Sequence, residues 1–412
     1  MSAEVNRFAA QKRVSLVAVD QIISTTINFL ILFSCMRLLS TSSFGEFTFA
    51  WGVISTFIVF SRSLFGTPVL LDHSDIDSQT TSINGSLLGA FTLGIFATLT
   101  SLVLNEVQNA NLKLDWVFVI VLLSPLFLLH DQFRFVSVAK AKPRIAILID
   151  AILFAAVVIC AIFMFKFKVV DFWLPVFLLV GFAAAALVAI RQISVTLDPK
   201  GLRELIVKDL HRRSLLLTDA FFVLFFGILS LSLLRLAAGN EGVGLYSSLA
   251  LVFVPVTLVS VFMVFGLQKE VTRTRGNLLT RHKIYLLLLC LSPLAWGAAL
   301  SVVPDEIILM IFGETVSKGL AFVAVYALST TLFLLLEMLN LFLKSDARFL
   351  KMLQVRIFSG IVLTTLLVVA GYLNLSMNFL IGSFGIASGI GVVATMILIN
   401  NSSISRKNQQ VF

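Results

Sequence analysis

Long, nearly uncharged apolar runs constrain this chain more than any other feature. Twelve can be read along it, near 14–36, 44–66, 83–104, 114–133, 145–165, 172–193, 214–236, 245–267, 284–303, 317–343, 355–372 and 378–399. A helix that crosses a bilayer needs about 20 mostly apolar residues. Only 13% of the residues are charged and 58% are hydrophobic, against about 25% and 45–50% in an ordinary soluble domain. A water-facing surface cannot be built from so few charges. A soluble enzyme, a disordered chain and a nucleic-acid binder are therefore excluded. An outer-membrane barrel is excluded too, because barrel strands alternate apolar and polar residues. The expected fold is an all-α polytopic membrane protein of about twelve transmembrane helices. Arg7, Lys12 and Arg13 precede the first run as they would a signal peptide. That run is too long for a signal segment and no small-residue cleavage site follows, so it reads as a retained span.

The formal net charge is +9, and its distribution points to a membrane. Taking both termini and the even-numbered loops as one side, 24 of the 31 Lys and Arg fall there. The other side holds Arg37, Lys113, Lys166, Lys168, Arg235 and Lys318, and Arg62 lies inside a span. Basic residues are retained on the cytoplasmic side. The expectation is a multi-pass protein of the cytoplasmic membrane with both termini inside. The 2–3 loop is the exception, carrying Asp72, Asp75 and Asp77. The basic loops also suit anionic lipid headgroups as partners.

No motif for covalent chemistry or cofactor binding is present. Cys35, Cys160 and Cys290 lie in apolar runs without metal-like spacing, as buried small hydrophobes do. His73, His130, His211 and His282 are scattered. Neither a nucleophile elbow nor a Walker loop occurs, and the loops leave no room for a nucleotide-binding domain. No cofactor is expected beyond a coupling H+ or Na+.

The chain repeats itself. Ser15-Leu16 with Asp20 aligns with Ser214-Leu215 with Asp219 at an offset of 199, and Arg37-Leu38 aligns with Arg235-Leu236 at 198. Leu126-Phe127-Leu128-Leu129 with Asp131 aligns with Leu332-Phe333-Leu334-Leu335 with Glu337 at 206. Copies six spans apart keep the same direction. They predict two parallel six-helix lobes, 1–193 and 214–412, joined by a basic loop at 194–213. Paired halves with a site between them recur in transporters.

An ionisable side chain inside a span is costly and reads as functional by default. Asp20, Ser24 and Asn28 form an i, i+4, i+8 stripe on the first helix. Asp20 reads either as a protonation or cation site in a cavity or as an anchor near the interface; Asp219 is its repeat mate. Arg62 shares a face with Thr48, Gly52, Ser55 and Gly66. An arginine there can grip a phosphate bidentately; snorkelling to headgroups is the plainer reading. Arg37 and Arg235 read as an outer gate or as helix caps. Glu337 reads as a cavity acid or an interhelical contact. Asp131 and Arg134 can pair at i, i+3 at the end of the fourth span. Pro125, Pro255 and Pro293 allow bends within spans. Gly385 and Gly389 form a small face for close helix packing.

Arg37-Leu38-Leu39, Phe44-Gly45-Glu46-Phe47, Asp131-Gln132-Phe133-Arg134, Ala141-Lys142-Pro143-Arg144 and Asp150 together resemble the polysaccharide-lipid, O-antigen-type flippases of the multidrug/oligosaccharidyl-lipid/polysaccharide (MOP) exporter superfamily. That resemblance implies a V-shaped two-lobe fold with alternating access and no enzymatic activity. It implies a polyprenyl-pyrophosphate-linked oligosaccharide as cargo, moved from the inner to the outer leaflet for polysaccharide biosynthesis. A polysaccharide polymerase and glycosyltransferases are then the implied partners, with no nucleic acid. Arg62 matches the cargo-binding arginines best by position, with Asn28 and Ser55 beside it and Arg37 and Arg235 behind. Asp20, Asp219 and Glu337 are the implied ion-coupling candidates. The competing readings are a cation-coupled multidrug antiporter of the same superfamily, which would place acids in its cavity, and an integral membrane enzyme acting on lipid-linked sugars.

Overall fold

Every regular element is helical among the described residues of this computed structural model, which are 2–66, 69, 76–107, 115–140, 142–193, 198–258, 283–345 and 349–409. The helices are α1 Ser2–Leu38, α2 Thr41–Ser61, α3 Ile76–Val107, α4 Asp115–Leu122, α5 Ser124–Ala139, α6 Pro143–Phe167, α7 Trp173–Ile193 and α8 Pro199–Val252. They continue with α9 Lys283–Val302, α10 Asp305–Phe312, α11 Glu314–Gly319, α12 Val323–Ser345, α13 Phe349–Tyr372 and α14 Met377–Gln409. Among the described residues nine helices are long and apolar enough to cross a membrane, and two bent pairs bring the number to 11. The 36-residue stretch Leu217–Val252 holds the seventh expected span and the start of the eighth. It is broken at Gly239, where φ is 65°. Residues 259–267 of the eighth expected span lie outside the described residues, as do the loop at 268–282 and most of the acidic 2–3 loop.

The chain divides into two compact units, Met1–Leu224 and Phe225–Phe412, so the division falls inside α8. In the first unit α6 packs against α1 and α7, and α3 packs against α5. Its core includes Ile83 and Leu87 of α3, Phe133 and Val136 of α5, Ile149 of α6, and Ala185 and Ala189 of α7. In the second unit α12 packs against α9 and α14, and α13 packs against α14. Leu336, Met338 and Leu339 of α12 meet Val355 and Val392 there. Large apolar side chains such as Ile162, Val180, Leu187 and Val393 are exposed, as the lipid-facing side of a membrane helix requires.

The break between α4 and α5 shapes the first unit. Pro125 has no N–H to donate and crowds the carbonyl four residues earlier, so the helix cannot run straight through it. The bend is 43°. The freed Val121 carbonyl accepts Ser124 Oγ at 2.6 Å and Thr98 Oγ1 of α3 at 2.9 Å, the kind of re-satisfaction that tolerates proline inside a span. Close approach of α3 is possible because residue 94 is glycine: a Cβ there would lie 2.3 Å from Pro125 Cα. Beyond the bend, α5 continues to Ala139, past the expected end of the fourth span at 133. Asp131 and Arg134 therefore sit within a helix rather than at its end, because Gln132 and Ser137 are buried there by polar contacts. Lys140 and Lys142 turn to the end of α7 and donate to the Ile193 and Gln192 carbonyls at 2.8 and 3.3 Å.

The paired glycines of α14 differ. A Cβ at Gly385 would lie 2.6 Å from Ser329 Oγ and 3.0 Å from its Cα, whereas Gly389 has an ordinary 3.5 Å to Leu332. Backbone cannot give way as a flexible side chain can. Gly94→Val should therefore lower the melting temperature of the detergent-solubilised protein by several degrees, while Gly389→Ala leaves it nearly unchanged.

Candidate functional site

The bend in α5 turns His130, Asp131 and Arg134 toward α1, α2 and α6. A cavity of about 200 Å³ opens there, lined by Ser24 and Asn28 of α1, Ser55 and Arg62 of the second span, those three α5 residues, and Asp150 of α6. Trp51, Phe127 and Phe182 line its apolar wall, with Phe127 edge-on to both other rings.

Arg134 is the centre of the charged groups. Its Nε and one Nη donate to Asp20 Oδ2 at 3.2 and 2.7 Å. The other Nη donates to Ser24 Oγ at 2.9 Å and to Asp131 Oδ1 at 3.2 Å. Asp150 Oδ2 lies 3.1 Å from Nε, in an ion contact without hydrogen-bond alignment. His130 Nε2 is 3.5 Å from Asp150 Oδ1. One guanidinium thus ties α1, α5 and α6 together through three carboxylates.

Arg62 is held differently. Its Nε donates to Asp131 Oδ2 at 2.8 Å and one Nη to Asp131 Oδ1 at 2.7 Å. This is the bidentate geometry that arginine offers to any planar or tetrahedral oxyanion. It opens the π-helical turn Arg62–Gly66 that continues α2, a wide turn often found at functional positions. The Arg62 side chain is 35% exposed, whereas those of Asp131, Arg134, Asp20 and Asp150 are 10, 7, 7 and 1% exposed. Two guanidinium groups and three carboxyl groups meet here, with the His130 imidazole beside them.

The sequence-selected residues divide as follows. Arg62, Asn28 and Ser55 line one pocket, and Asp20 reaches it through Arg134. Arg37 is half-buried at the end of α1, away from this pocket's lining. Arg235 is in the second unit and its Nε donates to Asn240 Oδ1 at 2.7 Å, beside the Gly239 break. Asp219 is buried in α8. Glu337 of α12 lies 3.6 Å from Arg356 of α13, a partner that sequence spacing did not indicate. His130 and Asp150 were missed as site residues, and Asp131 and Arg134 were read only as a pair with each other. Nothing in the sequence shows that α5 and α6 place them together, although Asp150 is an intramembrane acid and could have been weighed as one.

The matched positions of the second half carry partly different side chains. At the repeat offset of 206, Asp131, Arg134 and Asp150 correspond to Glu337, Asn340 and Arg356. At the offset of 199, Arg62 corresponds to Val261, which lies outside the described residues. Among these matched positions Glu337 and Arg356 are the charged ones, and they lie 3.6 Å apart.

The chain is an all-helical polytopic membrane protein whose fold matches that of solved MOP-superfamily structures. No family model and no curated protein matches the chain. Among solved structures it is similar to an inward-facing multidrug resistance MATE-family transporter of the MOP superfamily, with a TM-score of 0.69 at 14% identity over 96% of this chain and 99% of that one. It is similar to the lipid II flippase MurJ in an inward closed conformation, with a TM-score of 0.70 at 12% identity over 93% and 87% of the two chains. A MOP transporter from Pyrococcus furiosus, described as having a binding pocket of reverse polarity, aligns with a TM-score of 0.61 at 13% identity over 95% of each chain.

Removing a buried cation from its carboxylates costs about 3–5 kcal/mol. Arg134→Met strands Asp20 and Asp150, while Arg62→Met leaves Asp131 its bond to Arg134. In thermal melts of the purified protein, the Arg134 variant should fall well below the Arg62 variant. Equal melting temperatures would contradict this division of roles.

Proposed function

We propose that this protein is a flippase that moves a polyprenyl-pyrophosphate-linked oligosaccharide from the inner to the outer leaflet of the cytoplasmic membrane by alternating access. Arg62 carries the reading. It is the most exposed charge of the group, it lines the pocket, and its geometry fits a phosphate oxygen pair. The acids beside it are tied to guanidinium groups and nearly buried. A headgroup bearing phosphates and sugars faces a hydrocarbon layer about 30 Å thick; a wet pocket with a cation at its edge lowers that barrier, and the prenyl tail stays in lipid. Asn28 and Ser55 supply neutral hydrogen-bonding groups for the headgroup. Asp20, with Asp150 on the same arginine, is the proposed coupling site for H+ or Na+; Asp219 and Glu337 are the lesser candidates, and Arg37 and Arg235 are placed at outer helix ends. The orientation proposed is both termini in the cytoplasm. The lobes proposed from the repeat are 1–193 and 214–412, joined at 194–213.

A second reading is favoured by one observation. Two carboxylates in the pocket lining, Asp131 and Asp150, with Asp20 behind Arg134, suit an organic cation exchanged for H+ or Na+, so a multidrug antiporter is the alternative.

The two readings part on Arg62. In a strain that depends on this protein for surface polysaccharide, Arg62→Ala should abolish display and accumulate the lipid-linked oligosaccharide, with normal protein in the membrane. Arg62→Lys should restore only part of it, because an ammonium lacks the fork. Full display in the alanine variant, together with lost drug resistance in Asp20→Asn, would favour the antiporter.

A further inference from the structure

The bond that Arg62 makes is to a carboxylate of its own chain, and it occupies the Nε/Nη edge, one of the two edges at which a guanidinium can grip a phosphate. We propose that Asp131 is an internal competitor for the diphosphate at Arg62: a positioning residue that holds the guanidinium when the pocket is empty and displaces the cargo when it leaves. This inference rests on the reading of Arg62 as the anion-binding residue.

Three features support it. First, the pair is closed in the structure, at 2.7 and 2.8 Å, through Nε and one Nη. A diphosphate can grip the Nε/Nη edge only when Asp131 lets it go, and at the other edge it meets the Asp131 charge. Second, the two partners are unequally anchored. Asp131 also accepts from Arg134 at 3.2 Å, so it retains a cation when Arg62 turns away. Arg62 has no second carboxylate among its described ion pairs, and its side chain is the exposed one. The arginine is therefore the moving member and the aspartate the fixed one. Third, Arg134 is not an equivalent anion site. Its donors are already spread over Asp20, Ser24 and Asp131, with Asp150 beside Nε.

The consequence is an affinity set by exchange. A bidentate arginine–diphosphate pair, once desolvated, is slow to release on its own. With Asp131 competing, apparent affinity falls by the fraction of time Arg62 is open. If the latch is closed about nine-tenths of the time, binding is weakened roughly tenfold. The internal carboxylate also rejects anions that cannot offer two oxygens to the fork, a repulsive element of the kind specificity often uses.

The test uses the full chain in nanodiscs, titrated with undecaprenyl pyrophosphate and separately with inorganic pyrophosphate. Asp131→Asn keeps the shape and the bond from Arg134 but removes the competing charge; it should tighten binding on the order of tenfold. Arg62→Ala should lose binding alone and in combination with Asp131→Asn. A structural role for Asp131 would weaken binding, so tightening is the signature. Tightening of the lipid assigns the competition to a headgroup, and tightening of inorganic pyrophosphate alone assigns it to a soluble anion. Unchanged or weaker binding in Asp131→Asn, with a normal melting temperature, overturns the latch while leaving the flippase reading intact. Wild-type binding in Arg62→Ala overturns both. A measurement on unsubstituted protein guards against a misfolded variant: infrared difference spectra on adding pyrophosphate should show a carboxylate leaving an arginine pair, a band absent from Arg62→Ala. No such band in the wild type contradicts the latch.

Discussion

The first unit depends on one guanidinium. Arg134 bonds Asp20 and Ser24 of α1 and Asp131 of its own helix, and lies 3.1 Å from Asp150 of α6. In water such pairs contribute little. Arg134, Asp20 and Asp150 are nearly buried between apolar helices, where their separation leaves uncompensated charge, so the pairing fixes which faces of α1, α5 and α6 meet. Lipid supplies no hydrophobic drive for one helix to choose another. Polar contacts and close packing do that work, and Arg134 makes the densest set of them in this unit.

The site follows from that constraint and from one proline. Pro125 bends α5, Gly94 lets α3 approach the bend, and Thr98 with Ser124 satisfies the carbonyl set free. Beyond the bend the helix carries a buried polar face instead of ending. Arg134 is consumed in holding helices together, which leaves Arg62, at the edge of the pocket, as the cation able to meet something else. Structural and functional charges thus sit one shared aspartate apart.

Much of the fold is legible in the sequence because the bilayer demands it. Apolar runs of spanning length mark the helices, and each of the twelve expected spans meets a helix within the described residues, wholly or in part. The polar stripe of Asp20, Ser24 and Asn28 and the face carrying Ser55 and Arg62 are visible from helical periodicity. What periodicity cannot show is which helices are neighbours. Asp150 and His130 join the site only because α5 and α6 pack together. The fourth span reads as ending near 133 since its apolar run stops there; the helix continues because Gln132 and Ser137 find partners inside the protein. The repeat also leads a reader to expect matched sites, yet Arg134 and Asp150 are replaced by Asn340 and Arg356 in the second copy.

The central claim is that this fold carries a phosphate-bearing lipid past the bilayer on Arg62. Its most direct measurement is transbilayer movement in proteoliposomes, comparing a fluorescent polyprenyl-pyrophosphate oligosaccharide with an organic cation such as ethidium. The account predicts that the purified protein exposes the anionic lipid to the opposite leaflet and does not move the cation. Movement of the cation with none of the lipid would contradict it.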